Sequence, residues 1–156
     1  HGAASVVVKR PAPGLPGFTE ATVREAGQWA VAFSKAWRAG HASASAFWVR
    51  PEQVSKSAAS GEFVPRGAWM IHGTKNFLKD LPLELALGPI RYEAEERWVV
   101  APETALRARG TVRAILRPGE ERERPALEAT LARDLGISRS LLQSLVPAGG
   151  LTVRRT

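Results

Sequence analysis

Between Arg50 and Asn76 the chain concentrates side chains suited to one kind of chemistry. Arg50, Lys56, Arg66 and Lys75 are cations, and Gln53, Ser55, His72 and Asn76 are hydrogen-bonding groups; Trp48, Phe63, Trp69 and Phe77 are spaced among them. Cations that meet phosphates and flat rings that stack on bases are what RNA-binding surfaces use. Lys9 adds a cation earlier in the chain. Each residue type also has a plainer role. Tryptophan and phenylalanine fill cores more often than they stack on a base, so Trp48, Phe63 and Trp69 are expected inside. The cations could equally belong to a solvated loop that binds nothing. Gly61, Gly67 and Gly73 are expected to shape the backbone rather than touch a ligand.

Other chemistries find little support. His1, His41 and His72 are far apart in the sequence, with no carboxylate at metal-ligand spacing. Cysteine is absent, which removes disulfides, thiolate catalysis and Cys-based zinc sites. There is no glycine-rich phosphate loop and no Gly-x-Ser-x-Gly elbow. Ser55-Lys56 alone does not make a nucleophile, because a catalytic lysine must be desolvated. The sequence therefore predicts no enzyme, no cofactor, no metal and no small-molecule substrate. The 156 residues carry 22 Lys+Arg against 15 Asp+Glu, a net charge of +7. That balance favours an anionic partner such as nucleic acid. No apolar run reaches the length of a membrane span, so no membrane role is expected. The chain opens on His1 rather than Met, which reads as a fragment of a longer protein, expected in the cytoplasm.

The elements that must position these residues read as α+β: a mixed, mostly antiparallel sheet with one long packed helix, plus a small α+β C-terminal subdomain. His1 to Lys9 reads as a buried strand, from its run of Val6, Val7 and Val8. Arg10 to Gly17 is a Pro/Gly loop. Thr22 and Glu25 read as a capping box for a helix running to Arg38 and stopping at Gly40. Its apolar stripe would be Val23, Ala26, Ala30, Phe33 and Trp37, with Trp29 beside it. Ala42 to Arg50 is a strand, Glu52 to Arg66 a long ordered loop, and Ala68 to His72 a strand followed by a turn at 73–76. Leu83 to Leu87 and Arg97 to Val100 are strands, joined through Gly88-Pro89 and a Glu95-Glu96 turn. Then follow helix 103–109, strand 112–116, helix 125–135, helix 139–145 and strand 151–154. Residues 1–80 hold 10 basic and 5 acidic residues, against 12 and 10 in 81–156. This shift places a boundary near Gly88, between parts 1–88 and 89–156.

Several stretches together resemble one family. They are Phe47-Trp48-Val49-x-Pro51-Glu52-Gln53-Val54-Ser55-Lys56, Ser60-Gly61-Glu62-Phe63-Val64-Pro65-Arg66-Gly67 and Met70-Ile71-x-Gly73-x-Lys75-Asn76-Phe77. With His1-Gly2-Ala3-Ala4-Ser5 and Ser34-x-x-Trp37, they are similar to the RNA-binding domain (NFACT-R) of the NEMF/RqcH proteins, archaeal members included. Older naming calls many of these fibronectin-binding-like. The resemblance covers residues 1–88 and implies that the first half of the domain precedes His1. It implies a role in ribosome-associated quality control: binding stalled large subunits that carry peptidyl-tRNA, and supporting tRNA-dependent tailing of the nascent chain. Large-subunit rRNA and tRNA are the implied partners. Lys9, Arg50, Gln53, Ser55, Lys56, Arg66, His72, Lys75 and Asn76 are the candidate RNA-binding residues. The chain departs from the family at Ala59, where proline is usual, at His72, often arginine, and at Thr74, often lysine. Weaker phosphate binding is the expected result.

The alternative is a stand-alone nucleic-acid-binding module. Residues 131–145 resemble a helix-turn-helix, in which Arg139, Ser140, Gln143 and Ser144 would reach base edges. Helix pairs joined at a glycine are also common as plain packing. The two readings differ in whether the 139–145 helix projects or buries Leu141, Leu142 and Leu145.

Overall fold

The computed structural model describes residues 4–57, 61 and 63–156. Residues 1–3, the Ala58-Ala59-Ser60 departure and Glu62 lie outside the described residues. Helix α1 (Glu20–Ala32) starts where Thr19 Oγ1 accepts the amide of Thr22 at 3.2 Å. The cap is thus Thr19 rather than Thr22, and Glu25 instead accepts a hydrogen bond from Thr104 at 3.0 Å. The helix also ends earlier than expected. Ser34 Oγ donates to the Val31 carbonyl and accepts the Ala36 amide, which caps a separate short helix α2 (Lys35–Arg38). The buried stripe is accordingly turned from the expected one. Gly27, Val31 and Ala32 are buried, Val23, Ala26 and Ala30 half-buried, and Phe33 exposed.

Next comes a two-stranded antiparallel ribbon. Strand β1 (Ser43–Trp48) pairs with β4 (Asn76–Pro82), and β2 (Val54–Ser55) pairs with β3 (Met70–Ile71). Both pairs lie along the same antiparallel course of chain, so they form one long arm. A 3-10 turn at Pro51–Gln53, facing residues 72–75, interrupts it. The expected loop over 52–66 therefore contains this turn and β2, and the expected turn at 73–76 leads directly into β4, a strand the sequence reading omits. A bulge masks that strand's alternation. Ala44 pairs with Leu81 but Ala46 pairs with Leu78, and the extra residue leaves Asp80 at φ 54°.

Beyond the arm, β5 (Leu85–Tyr92), β6 (Glu95–Ala101), β7 (Ala114–Arg117) and β8 (Thr152–Arg155) make an antiparallel sheet in the order β6-β5-β7-β8. Gly88-Pro89 does not join two elements; it lies inside β5. A Cβ at Gly88 would stand 1.8 Å from the Thr111 carbonyl oxygen, so the glycine admits a crossing backbone. The Pro89 carbonyl accepts from Thr111 beyond the end of the β5–β7 ladder, so the missing proline N–H removes no ladder bond. The turn after β5 is Glu93-Ala94, two residues before the expected Glu95-Glu96.

Helix α3 (Glu103–Arg109) covers one sheet face through Leu106; α4 (Arg124–Leu135) and α5 (Arg139–Leu145) cover the other. The larger core joins Val31 and Trp37 to Leu81, Leu83, Leu116, Leu131, Leu142 and Leu151. The architecture is α+β. Its N-terminal stretch departs from expectation: residues 5–10 are exposed and unpaired among the described residues, with Val7 81% exposed. β-branched residues favour a strand only where an edge receives them, and no described strand pairs with this stretch.

Candidate nucleic-acid interface

The arm gathers most of the candidate residues. Gln53, at the interruption between its two halves, holds them together. Its side-chain nitrogen donates to the carbonyls of His72 and Thr74, each at 2.8 Å, and its oxygen accepts the Arg50 amide at 2.9 Å. The His72 amide returns a bond to the Gln53 carbonyl at 2.7 Å. Gly73 adopts φ 76°, and a Cβ there would lie 3.3 Å from the Gln53 nitrogen, so this crossing needs glycine twice over. Asn76 donates to the Trp48 carbonyl at 3.2 Å and locks the start of β4. Gln53 and Asn76 thus shape the arm, with their amides directed into its own backbone.

The remaining candidates present themselves outward. Lys56 Nζ donates to the Ala68 carbonyl at 3.1 Å and sits 4.0 Å from the centre of the Trp69 ring. Ser55 Oγ meets His72 Nε2 at 3.0 Å. Lys75 Nζ lies 4.9 Å from the Phe47 ring. Arg50 and Arg66 are exposed. Among the described residues no hydrogen bond or ion pair ties Lys9 to the arm; it lies on the exposed N-terminal coil. Among the described residues no ion pair involves Arg50, Lys56, Arg66, Lys75 or Lys79. Elsewhere Arg38, Arg107, Arg117, Arg124, Arg139 and Arg155 each meet a carboxylate, while Lys35, Arg91, Arg113 and Arg154 do not. What sets the arm apart is that its unpaired cations share one ribbon with exposed rings. Cations without carboxylates beside them are available to an anion from outside.

The aromatics correct the sequence reading. Trp48, Phe63 and Trp69, expected in the core, are exposed, as is Phe77. The core fills with leucine instead, and Trp37 is the one aromatic ring among its fully buried residues. Alternation explains the outcome on the ribbon. Ala44, Ala46 and Leu78 pack against the core, so Phe47 and Phe77, directly paired in register, point to the opposite face. Phe47 and Lys79 are outward residues that the sequence reading missed. The signal was present in the small-residue alternation Ser43-Ala44-Ser45-Ala46, which marks Ala44 and Ala46 as the inner positions.

The helix pair at the C-terminal end takes the packed arrangement. Leu142 is fully buried and Leu145 half-buried, while Leu141 remains exposed. Gln143 and Arg139, two of the would-be base readers, are directed to Glu128, and Ser144 Oγ donates to the Leu141 carbonyl. Among the described residues no group of three His, Cys, Asp or Glu could hold a metal ion, and no helix is long and apolar enough to cross a membrane.

The family model of the NFACT protein RNA binding domain matches residues 1–73. The chain is 31% identical over 136 residues to the archaeal Rqc2 homolog aRqcH of Methanocaldococcus jannaschii, which covers 86% of this chain and 20% of that protein. It is 47% identical over 78 residues to the human ribosome quality control complex subunit NEMF, covering 50% of this chain and 7% of the relative. Ribosome quality control complex subunit 2 of Schizosaccharomyces pombe is 37% identical over 92 residues, 59% of this chain and 9% of the relative. The chain thus spans a fifth or less of the curated relatives it matches. No solved structure matches it.

Proposed function

Because the chain carries an NFACT RNA-binding domain of the NEMF/RqcH family, we propose that it is the RNA- and ribosome-contacting part of a cytoplasmic ribosome-associated quality control factor. In this reading the whole protein binds stalled large subunits carrying peptidyl-tRNA and supports tRNA-dependent tailing, and this chain contributes contacts rather than catalysis. The arm is the contact element, touching large-subunit rRNA or tRNA. Arg50, Lys56, Arg66, His72 and Lys75 meet phosphates, Ser55 assists His72, and Lys9 adds a peripheral contact. Gln53 and Asn76 act through the shape they impose. Residues 1–88 and 89–156 are then functional regions, the first carrying the arm and the second a platform packed against its base.

The observation that carries this reading is the row of arm cations without carboxylate partners among the described residues. Its test is the double variant Lys56→Ala/Arg66→Ala in the full protein. RNA affinity should fall at least tenfold, and the slope of log affinity against log salt should flatten by about two charges. Measured with large subunits and with free tRNA at two salt concentrations, loss on subunits alone assigns the arm to rRNA, and loss on both makes it a general RNA contact. An unchanged affinity and slope would remove the arm from RNA binding.

A further inference from the structure

The arm carries rings as well as cations, and duplex RNA has little use for exposed rings. Trp69 is 51% and Phe77 64% exposed. Phe47 and Phe77 stand edge to face with centroids 6.0 Å apart and planes at 61°. A lysine ammonium lies over Trp69 and another over Phe47. Both units recur on the same interrupted ribbon, one on each of its halves. An A-form helix is read through its shallow groove, 2′-hydroxyls and phosphates, which needs polar and cationic groups. A ring with a cation beside it instead suits a base that has left its helix: the ring takes the base face and the ammonium takes the neighbouring phosphate.

We infer that the arm takes unpaired RNA nucleotides, stacking bases on Trp69 and on the Phe47–Phe77 pair. This rests on reading the arm as an RNA contact and adds the class of RNA. In the free protein Lys56 and Lys75 cover ring faces. On binding, each ammonium moves to a phosphate as the base arrives, so stacking and charge neutralisation occur together.

The test compares an unstructured RNA strand with a blunt duplex of the same length and salt, using the full protein. The wild type should prefer the single strand. Trp69→Ala and Phe77→Ala, both at exposed positions, should each weaken single-strand binding by roughly 5- to 100-fold. Duplex binding and the salt slope should stay as they were, since no charge is removed. Trp69→Phe, which keeps a ring, should restore most of the affinity. If both ring variants bind the single strand like wild type while Lys56→Ala/Arg66→Ala is impaired, the arm grips phosphates only; stacking is overturned and RNA binding stands. If the wild type binds neither RNA, the underlying reading falls and stacking with it. If the emission that Trp69→Phe removes from the RNA-free protein is not quenched by acrylamide, a protein segment occupies the ring, and stacking is overturned.

Discussion

At the scale of single residues, the most constrained charge lies far from the arm. Glu128 is buried, and its carboxylate meets Arg124 Nε on one oxygen, with Gln143 at 2.8 Å and Arg139 at 3.6 Å on the other. Burial alone would raise its pKa. The hydrogen bonds from Arg124 and Gln143, with the charges of Arg124 and Arg139, outweigh that and hold the carboxyl below its ordinary range. Arg124 also donates to the carbonyls of Pro147 and Gly149, so the pair ties α4 to the chain after α5. A carboxyl whose pKa is lower folded than unfolded adds stability that is complete above its unfolded value and lost as pH falls through the folded one. Glu128→Gln should therefore lower stability by about 3 kcal/mol at pH 7, since it breaks a buried pair. The gap to wild type should narrow as pH drops from about 5 towards 3. Urea midpoints across that range check it, and a gap independent of pH would refute the assignment. In the sequence, Glu128 sits four residues after Arg124, which signals a surface helix pair; nothing local shows that Gln143 and Arg139 close over it.

At the scale of elements, success tracked how local each signal is. The 103–109 and 139–145 helices were legible to the residue, because Pro102 precedes the first and Ser138 caps the second. Signals that depend on a distant backbone failed. Gly88-Pro89 reads as punctuation, yet the glycine is set by Thr111 crossing over β5. The arm's cations and its strand at Met70–Ile71 are legible in the sequence, but β2 at Val54–Ser55 lies inside an expected loop, and the outward turn of the aromatics follows from which ribbon face α1 covers. The β5–β6 hairpin shows the same limit. Tyr92 pairs with Glu95, leaving a two-residue loop whose Glu93 and Ala94 adopt φ of 50° and 65°. Such loops favour Asn-Gly, and neither Glu nor Ala suits a positive φ, so the expected turn falls two residues away from the one that forms. Ala94→Gly should relieve the strain and stabilise the protein by about 0.5–1 kcal/mol, despite glycine's greater freedom when unfolded. A raised thermal midpoint checks this, and an unchanged or lowered one would show that the hairpin is not strained.

At the scale of the whole molecule, the shift in charge near residue 88 does not coincide with a gap in the core. Strand β5 runs across that position, and Arg117 meets Glu84 at 2.6 Å from the far side of it. Trp37 is the central link. It is 1% exposed, packs in the core shared by the arm's base and the C-terminal helices, and donates from Nε1 to the Gly150 carbonyl at 2.9 Å. The sequence placed Trp37 on a buried stripe but gave no sign of a partner 113 positions away. Trp37→Phe leaves that buried carbonyl without its donor and removes ring volume, so the cost should be about 2–3 kcal/mol. For a domain of this size that lowers the thermal midpoint by roughly 4–10 °C. Because the core is continuous, the arm and the four-stranded sheet should melt together. The part of the tryptophan emission that is lost in a Trp69→Phe background reports the arm, and far-ultraviolet circular dichroism reports the sheet and helices; both should shift by the same amount in the variant. Separate midpoints would mean that the basic part folds independently of the platform, and that Trp37 joins two units rather than building one.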